Sequence, residues 1–298
     1  MCYKTNKYLA PKNDTLEERL KVLKTYYPNI HFDKDFICDA CHQAKQRKLS
    51  FSLSDTRNAK PFELLHIDIW GPCSVVSMLG HKFFLTIVDD FTRYTWIFPM
   101  HNKYEVRANV TNFITYAENQ FSTKVKIIRT DNGIEFSMHD FFASKGIIHQ
   151  TTCIETSEQN GIVERKHQHL LNVTRALLFH SSLPAVFWCF VVQHAAFLIN
   201  CMPTTLLNNA TPYEKLYKKL CDISHLHVFR CLCYSSTILA HRKKLDNRVV
   251  LGVFLGFKPN TKGFLFLNLK NHKIDLFRNV VFHENCFPNH SKHVQNND

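Results

Sequence analysis

The sequence predicts an α/β domain followed by a smaller β-rich domain, and three observations carry that prediction. From Leu65 onward the chain reads as three strands, a helix, a further strand and then more helices. Carboxylates sit at three telling places in that order: inside an apolar strand (Asp68), at a strand end (Asp131) and in the first turn of a helix (Glu164). After Val249 the pattern changes to closely spaced β-rich runs with polar turns.

A chain of 298 residues is long enough for two domains and a sizeable core. With 45% hydrophobic and 21% charged residues its composition is globular and excludes a disordered chain. The formal net charge of +12 is unevenly placed: +4 over residues 1–50, +2 over 51–235 and +6 over 236–298. Basic flanks around a nearly balanced centre suit modules that track phosphate beside a carboxylate site. A merely soluble basic protein would carry the same total. The 11 cysteines are odd in number and form no framework, and the first residues hold no apolar run. Reduced thiols in an intracellular compartment, with no signal peptide, are expected. The most apolar stretch, Ala185 to Asn200, is short for a membrane span and is interrupted by Gln193 and His194, so it reads as a buried helix with no membrane partner.

The elements follow in order. Asp14-Thr-Leu-Glu17 is a capping box for a helix with Leu16, Leu20, Leu23 and Tyr27 on one side, stopped by Pro28. Cys38-Asp-Ala-Cys41, near His31 and His42, invites a zinc reading. Residues 51–60 read as a linker. Phe83–Val88 and Tyr94–Met100 form a hairpin, which makes Asp89 and Asp90 turn acids. Tyr104–Phe121 is a helix with Val106, Val110, Phe113, Ile114 and Ala117 at helical spacing. Val125, Ile127 and Ile128 favour a strand that Asn132-Gly133 breaks. Asp131 could be only the first residue of that turn. His139–Lys145 is a short helix ended by Gly146, and Ile147–Thr152 is a strand.

Asn160 reads as the cap of a long helix whose apolar positions run through Val163, Leu170, Thr174, Leu177 and Leu178. Glu164 lies beside that stripe, where the helix dipole alone would favour an acid. Asp68 is harder to explain locally, because a carboxylate between Ile67 and Ile69 is costly to bury unpaired. If strand and helix pack together, the acids converge and make a site for a hard divalent cation. Farther on, Val249–Phe257, Gly263–Leu269 and Ile274–Phe282 suggest a small barrel or sandwich, and from Asn289 the chain reads as a disordered tail.

Several motifs occur together: His66-Ile-Asp68-Ile-Trp-Gly-Pro72, Phe84–Arg93, Arg129-Thr-Asp131-Asn-Gly-Ile-Glu-Phe136, Gln159-Asn-Gly-Ile-Val-Glu164-Arg-Lys-His167, Phe187-Trp188, Thr211–Glu214 and His227–Tyr234. In this order, over Cys38 to Pro288, they resemble the integrase of copia-type long-terminal-repeat retrotransposons. The resemblance implies a ribonuclease-H-like catalytic core over 51–222. Around it stand a truncated zinc-finger-like module over 1–50, an SH3-like β-barrel over 226–288 and a tail over 289–298. It implies DNA 3′-end processing and strand transfer with Mg²⁺ (or Mn²⁺) on Asp68, Asp131 and Glu164, backed by Asn132 and Asn160. It implies nucleic-acid contacts from Asn160, Arg165, Lys166, His167, Arg242, Lys243 and Lys244. The implied partners are element ends and target DNA, the active form is a homo-oligomer, and the location is the nucleus with a cytoplasmic particle stage.

Departures from the family pattern matter. Two further histidines of the family's zinc module have no counterpart before His31, so zinc on Cys38 and Cys41 is not expected. The 32 residues between Asp131 and Glu164 are a few fewer than in many such enzymes. Thr156-Ser-Glu158-Gln159 stands where the family has a proline and a second glutamine, and Glu158 puts an acid in a loop meant to approach DNA. The chain also begins at a methionine inside the zinc module and ends before any polymerase-like sequence. A second reading therefore stays open, a catalytically inactive retrotransposon remnant that binds nucleic acid. A ribonuclease acting on RNA–DNA hybrids would share fold and metals, but the helix start Gln159–Glu164 argues against it.

Overall fold

The computed structural model describes residues 25–28, 58–152, 160–236, 244–245, 247–258 and 261–288. The chain divides into two compact units, Met1–Thr56 and Arg57–Asp298. In the first unit only 25–28 are described: Thr25 and Tyr26 are helical and the helix has ended by Pro28. The capping box at Asp14, the Cys38–Cys41 pair, Glu158 and the tail from Asn289 lie outside the described residues.

The second unit is built on two five-stranded sheets. The first holds β1 (Leu64–Trp70), β2 (Phe83–Asp89), β3 (Thr95–Met100), β4 (Ile127–Thr130) and β5 (Ile148–Thr151), in the order β3-β2-β1-β4-β5. The antiparallel pairs β1–β2 and β2–β3 are joined by the loop 71–82 and by the short turn 90–94. The parallel pairs β1–β4 and β4–β5 need crossovers, supplied by α1 (Glu105–Phe121) and α2 (His139–Lys145). Gly146 ends α2 in the left-handed region at φ 67. On α1 the buried residues are Val106, Val110, Phe113, Ile114 and Ala117, the stripe the sequence predicts. They pack with Phe62, Leu65, Ile67, Leu85 and Ile87 on one face of the sheet.

The opposite face is covered by α3 (Gly161–Ser181) and α4 (Trp188–Cys201). Phe84 packs there with Trp188, Val191 and Val192, while Leu170 of α3 meets Ala196 and Ile199 of α4. Most of α4 is buried, as its composition requires. No single helix among the described residues is long and apolar enough to cross a membrane. A short helix, α5 (Pro212–Tyr217), follows, capped by Thr211 Oγ1 accepting from the Glu214 N–H at 3.0 Å.

Asp90 is a turn residue as expected, whereas Asp89 is the last residue of β2, and both are buried. Asp89 accepts from the N–H groups of Phe62 (2.7 Å) and Thr92 (2.8 Å) and from the Thr92 hydroxyl (2.7 Å), fastening the hairpin end to the start of β1.

The second sheet holds β6 (Leu232–Ser236), β7 (Val249–Phe257), β8 (Phe264–Asn268), β9 (Ile274–Phe277) and β10 (Val280–His283), ordered β10-β6-β7-β8-β9 and antiparallel throughout. Cys231, Cys233, Phe254 and Phe266 form its core. Two features differ from the sequence reading. β6 was not among the expected runs, and Ile274–Phe282 is two strands on opposite edges. Only Arg278 and Asn279 join those edges, about 11 Å of chain at most, whereas four flat strand spacings would span about 19 Å. The sheet must therefore curl strongly. No ladder between β9 and β10 closes it into a barrel among the described residues. Gly252 is required where β7 crosses β8, because any Cβ there would enter the Phe266 ring and the Leu267 carbonyl.

Two links brace the unit. Arg230, 2% exposed, donates from its guanidinium to the Ser181 carbonyl at the end of α3, and its own N–H donates to Phe254 O at 2.8 Å. Cys201 and Cys221 form a disulfide with a Cα–Cα distance of 5.8 Å. That pair corrects the expectation of uniformly reduced thiols: sequence separation hides what the turn after α4 brings together.

Candidate active site

β1 lies at the centre of its sheet and carries Asp68 just where burial gives way, after Leu64–Ile67, toward the strand's exposed end. β4 runs parallel beside it, with His66 opposite Arg129. Asp131 follows the last residue of β4, and continuing that register by two residues would set it beside Asp68 at one strand spacing, about 5 Å. Asp131 is exposed, and its Oδ1 accepts from the Gly133 N–H at 3.1 Å, so the Asn132-Gly133 turn also orients the acid.

The third acid comes from α3. His167 places that helix: its Nδ1 lies 3.6 Å from Asp68 Oδ2 and its Nε2 2.9 Å from Thr86 Oγ1. Glu164 is one turn earlier on the same side of the helix, and it is exposed. The electrostatics agree with this convergence. The Asp68 carboxyl is pushed up to about 7, first by burial; the Ile69 N–H opposes that, the charges of Asp131 and Glu164 add to it, and Lys103 opposes it. The three acids come from separate parts of the chain, and the charges of Asp131 and Glu164 are both felt at Asp68.

Their donor set is all oxygen, which fits a hard cation such as Mg²⁺ or Mn²⁺. A carboxyl raised by like charges is one that a cation would return to its ionised form. Among the described residues no three ligating side chains stand close enough to grip an ion, so the exposed Asp131 and Glu164 would have to swing inward.

The residues expected to touch nucleic acid divide. Arg165 and Lys244 are exposed. Lys166 is half-buried, and burial together with Arg93 pushes its ammonium down to about 8. Arg242 and Lys243 lie outside the described residues. Two expectations need correction. His167 is 8% exposed and burial pushes its imidazole down to about 4, so it is a neutral group wedged against the sheet and makes no phosphate contact. Asn160 is 2% exposed and its side chain makes no cap bond.

Asn160 turns inward because β1 offers it better partners. Its Nδ2 donates to Ile67 O at 3.2 Å and its Oδ1 accepts from His66 Nδ1 at 3.3 Å. His66, fully buried, reaches Asp90 Oδ1 with its other nitrogen at 3.2 Å. Asp90 also accepts from Asn58 Nδ2 at 2.8 Å and pairs with Arg93 at 3.3 Å. Against burial, which would raise it, the His66 and Asn58 hydrogen bonds and Arg93 hold the Asp90 carboxyl well below the usual range. This chain of contacts locks the start of α3, four residues before Glu164, onto the strand that bears Asp68. The sequence reading missed His66, Asn58 and Asp90 as parts of the site. One signal was present: His66 shares a strand face with Asp68 between apolar neighbours.

Asn160→Ala would leave His66 Nδ1 and the Ile67 carbonyl without partners. The expected cost is about 1–3 kcal/mol, read as a lower denaturant midpoint. Any metal-dependent activity should fall further than DNA affinity, since the helix bearing Glu164 loses its anchor. An unchanged midpoint would show that the network is slack.

Comparison with known proteins then bears on this geometry. Residues 58–157 match the integrase core domain family, and residues 231–296 match the retroviral polymerase SH3-like domain family. The retrovirus-related Pol polyprotein from transposon RE1 of Arabidopsis thaliana is 35% identical over 252 residues, 84% of this chain and 17% of that polyprotein. The corresponding polyprotein from transposon TNT 1-94 of Nicotiana tabacum is 32% identical over 250 residues, 83% of this chain and 19% of the relative. The chain thus spans less than a fifth of these relatives' length. Among solved structures, a chain of the simian T-cell lymphotropic virus intasome in complex with PP2A regulatory subunit B56 gamma aligns with TM-score 0.50 and 15% identity over 91% of each chain, a likeness of fold.

Proposed function

Because the chain belongs to the copia-type retrotransposon integrases, with their core and SH3-like domains, we propose that it carries out metal-dependent DNA 3′-end processing and strand transfer. The observation that carries this reading is the Asp68 carboxyl raised to about 7 by burial and by two like charges from Asp131 and Glu164. Asp68, Asp131 and Glu164 would hold the divalent ions. Bound there, such ions lower the pKa of an attacking water or 3′-hydroxyl and stabilise the oxygen leaving phosphorus.

The chain's own side chains do the rest. His66 and Asn160 tie the start of the helix that bears Glu164 to the strand that bears Asp68. His167, wedged between Thr86 and Asp68, stands 3.6 Å from the Asp68 carboxylate. Arg165, exposed in the same turn as Glu164, would meet phosphate at the rim, whereas Lys103, whose charge reaches Asp68, is paired with Glu135 at 2.7 Å. DNA ends, target DNA and further copies of the chain are the proposed partners, in keeping with the intasome whose fold it shares.

One observation favours a second reading, a remnant that binds DNA without joining it: no three ligating side chains among the described residues are already at metal distance. Incubating the protein with duplex DNA ends, target DNA and Mg²⁺ or Mn²⁺ decides between them. Joined product supports the enzyme; tight binding with no product under either metal supports the remnant. In the same preparation, Arg242→Ala/Lys243→Ala/Lys244→Ala is expected to weaken binding and flatten its log–log dependence on salt by about 0.9 for each phosphate left without its cation. An unaltered slope would remove this basic run from the DNA surface.

A further inference from the structure

A cleft of about 960 Å³ runs beside the outer edge of β3, walled by the first sheet, α4 and the second sheet. Its chemistry narrows what can enter. The edge itself is closed to a further strand: Asn200 takes the Thr95 N–H at 2.9 Å and donates to the Thr95 carbonyl at 2.8 Å, and Pro99 has no N–H to offer. An extended peptide therefore cannot add to the sheet there. The walls are rings. Trp96 of β3, Tyr116 of α1, Phe197 of α4 and Phe257 of β7 all line the space and are each only partly buried, with Phe197 and Phe257 5.5 Å apart.

Between them lies His194, 5% exposed, whose Nδ1 has no hydrogen-bond partner among the described residues. That nitrogen lies against the backbone of Gly256, held at φ +108, where a Cβ would stand 3.5 Å away, and the imidazole packs against the rings of Phe229, Phe254 and Phe257. The mouth carries the exposed Lys258, Lys262 and Arg278 against one acid, Asp222. An apolar ligand would have no use for three cations. An intact duplex exposes no base faces to stack on the rings. Planar rings joined by phosphates satisfy both.

We propose that this cleft receives unpaired nucleotides of the DNA substrate, with bases stacked on the aromatic walls and phosphates on Lys258, Lys262 and Arg278. The inference rests on the reading of DNA as partner, and trimming one strand at a DNA end leaves the other strand's last nucleotides unpaired. The volume, near the top of the range of about 300–1,000 Å³ for ligand pockets, leaves room for more than one base. Stacking is indifferent to sequence, so the cleft would accept any overhang.

The test uses the full chain without divalent metal, and three duplexes of one sequence: blunt, with a three-nucleotide 5′ overhang, and with the same overhang abasic. Wild type is expected to bind the overhang about tenfold more tightly than the blunt duplex, and the abasic overhang no better than the blunt. Phe197→Ala and Lys258→Ala/Lys262→Ala/Arg278→Ala should each bring that preference below about threefold, Phe197→Ala without changing blunt-duplex affinity. The abasic arm needs no variant, so it stands even if a substitution disturbs folding. Equal affinity for blunt and overhung duplexes overturns the proposal and leaves the cleft to a protein partner. A preference that survives removal of the bases overturns it too. Failure to bind even the blunt duplex overturns the DNA reading together with the cleft.

Discussion

Asp131→Asn should yield a protein that binds DNA and no longer joins it. The substitution keeps the Asx turn that Asp131 makes with the Gly133 N–H, because an amide oxygen accepts that bond as well as a carboxylate does. What it removes is one of three charges that would hold the metal pair, worth several kcal/mol in the transition state and so about 10³-fold or more in rate. DNA affinity should stay level or rise slightly, since a negative charge near phosphate is gone. The measurements are a strand-joining time course and a binding isotherm at one salt concentration. Joining at the wild-type rate would show that Asp131 is only a turn residue. Glu164→Gln should behave alike.

The second large effect is on stability and has a definite sign. In the folded protein Asp68 titrates at about 7, above its ordinary 3.8, so the folded state holds this proton more tightly than the unfolded state does. The favourable contribution is complete below about pH 4 and is lost as the pH rises through 7, a ceiling on the order of 4 kcal/mol. Without divalent metal, Tm should therefore fall between pH 4 and 8 by at most on the order of 10 °C. Adding Mg²⁺ at pH 8 should restore much of it, because a cation favours the ionised carboxylates. Other groups titrate in this window: burial raises Asp89 and lowers His167 and His194. The comparison that isolates Asp68 is Asp68→Asn, which should flatten the pH dependence and remove the Mg²⁺ response. A variant that keeps the Mg²⁺ response would place the metal elsewhere.

How much of this was legible depends on the range of the interactions involved. Helix α1 with its buried stripe, α2 ended by Gly146 and β7 at Val249–Phe257 follow from local periodicity and from glycine's freedom, so the sequence states them almost residue by residue. The candidates Asp68, Asp131 and Glu164 rest on a carboxylate in an apolar strand and on the motif order. What escaped lies in long-range pairing. Asn160 looks like a cap from its neighbours, but His66 is 94 residues away and outcompetes the helix end for its side chain. His167 sits in a basic run, Arg165-Lys166-His167, that reads as a phosphate-facing surface. The helical turn instead points it at Thr86, 81 residues distant. The split of β9 from β10 escaped because Arg278-Asn279 carries no glycine or proline to announce a change of edge.

Arg230 gives the architecture a mechanical reading. Helix α3 is a rod of 21 residues, about 30 Å long. One end bears Glu164 and is pinned to β1 through Asn160; the other end, at Ser181, is gripped by a guanidinium rooted beside β6. A pull on the small sheet is thus delivered along a stiff strut to the carboxylate at its far tip. The same helix therefore ties the small sheet at one end to the strand that bears Asp68 at the other.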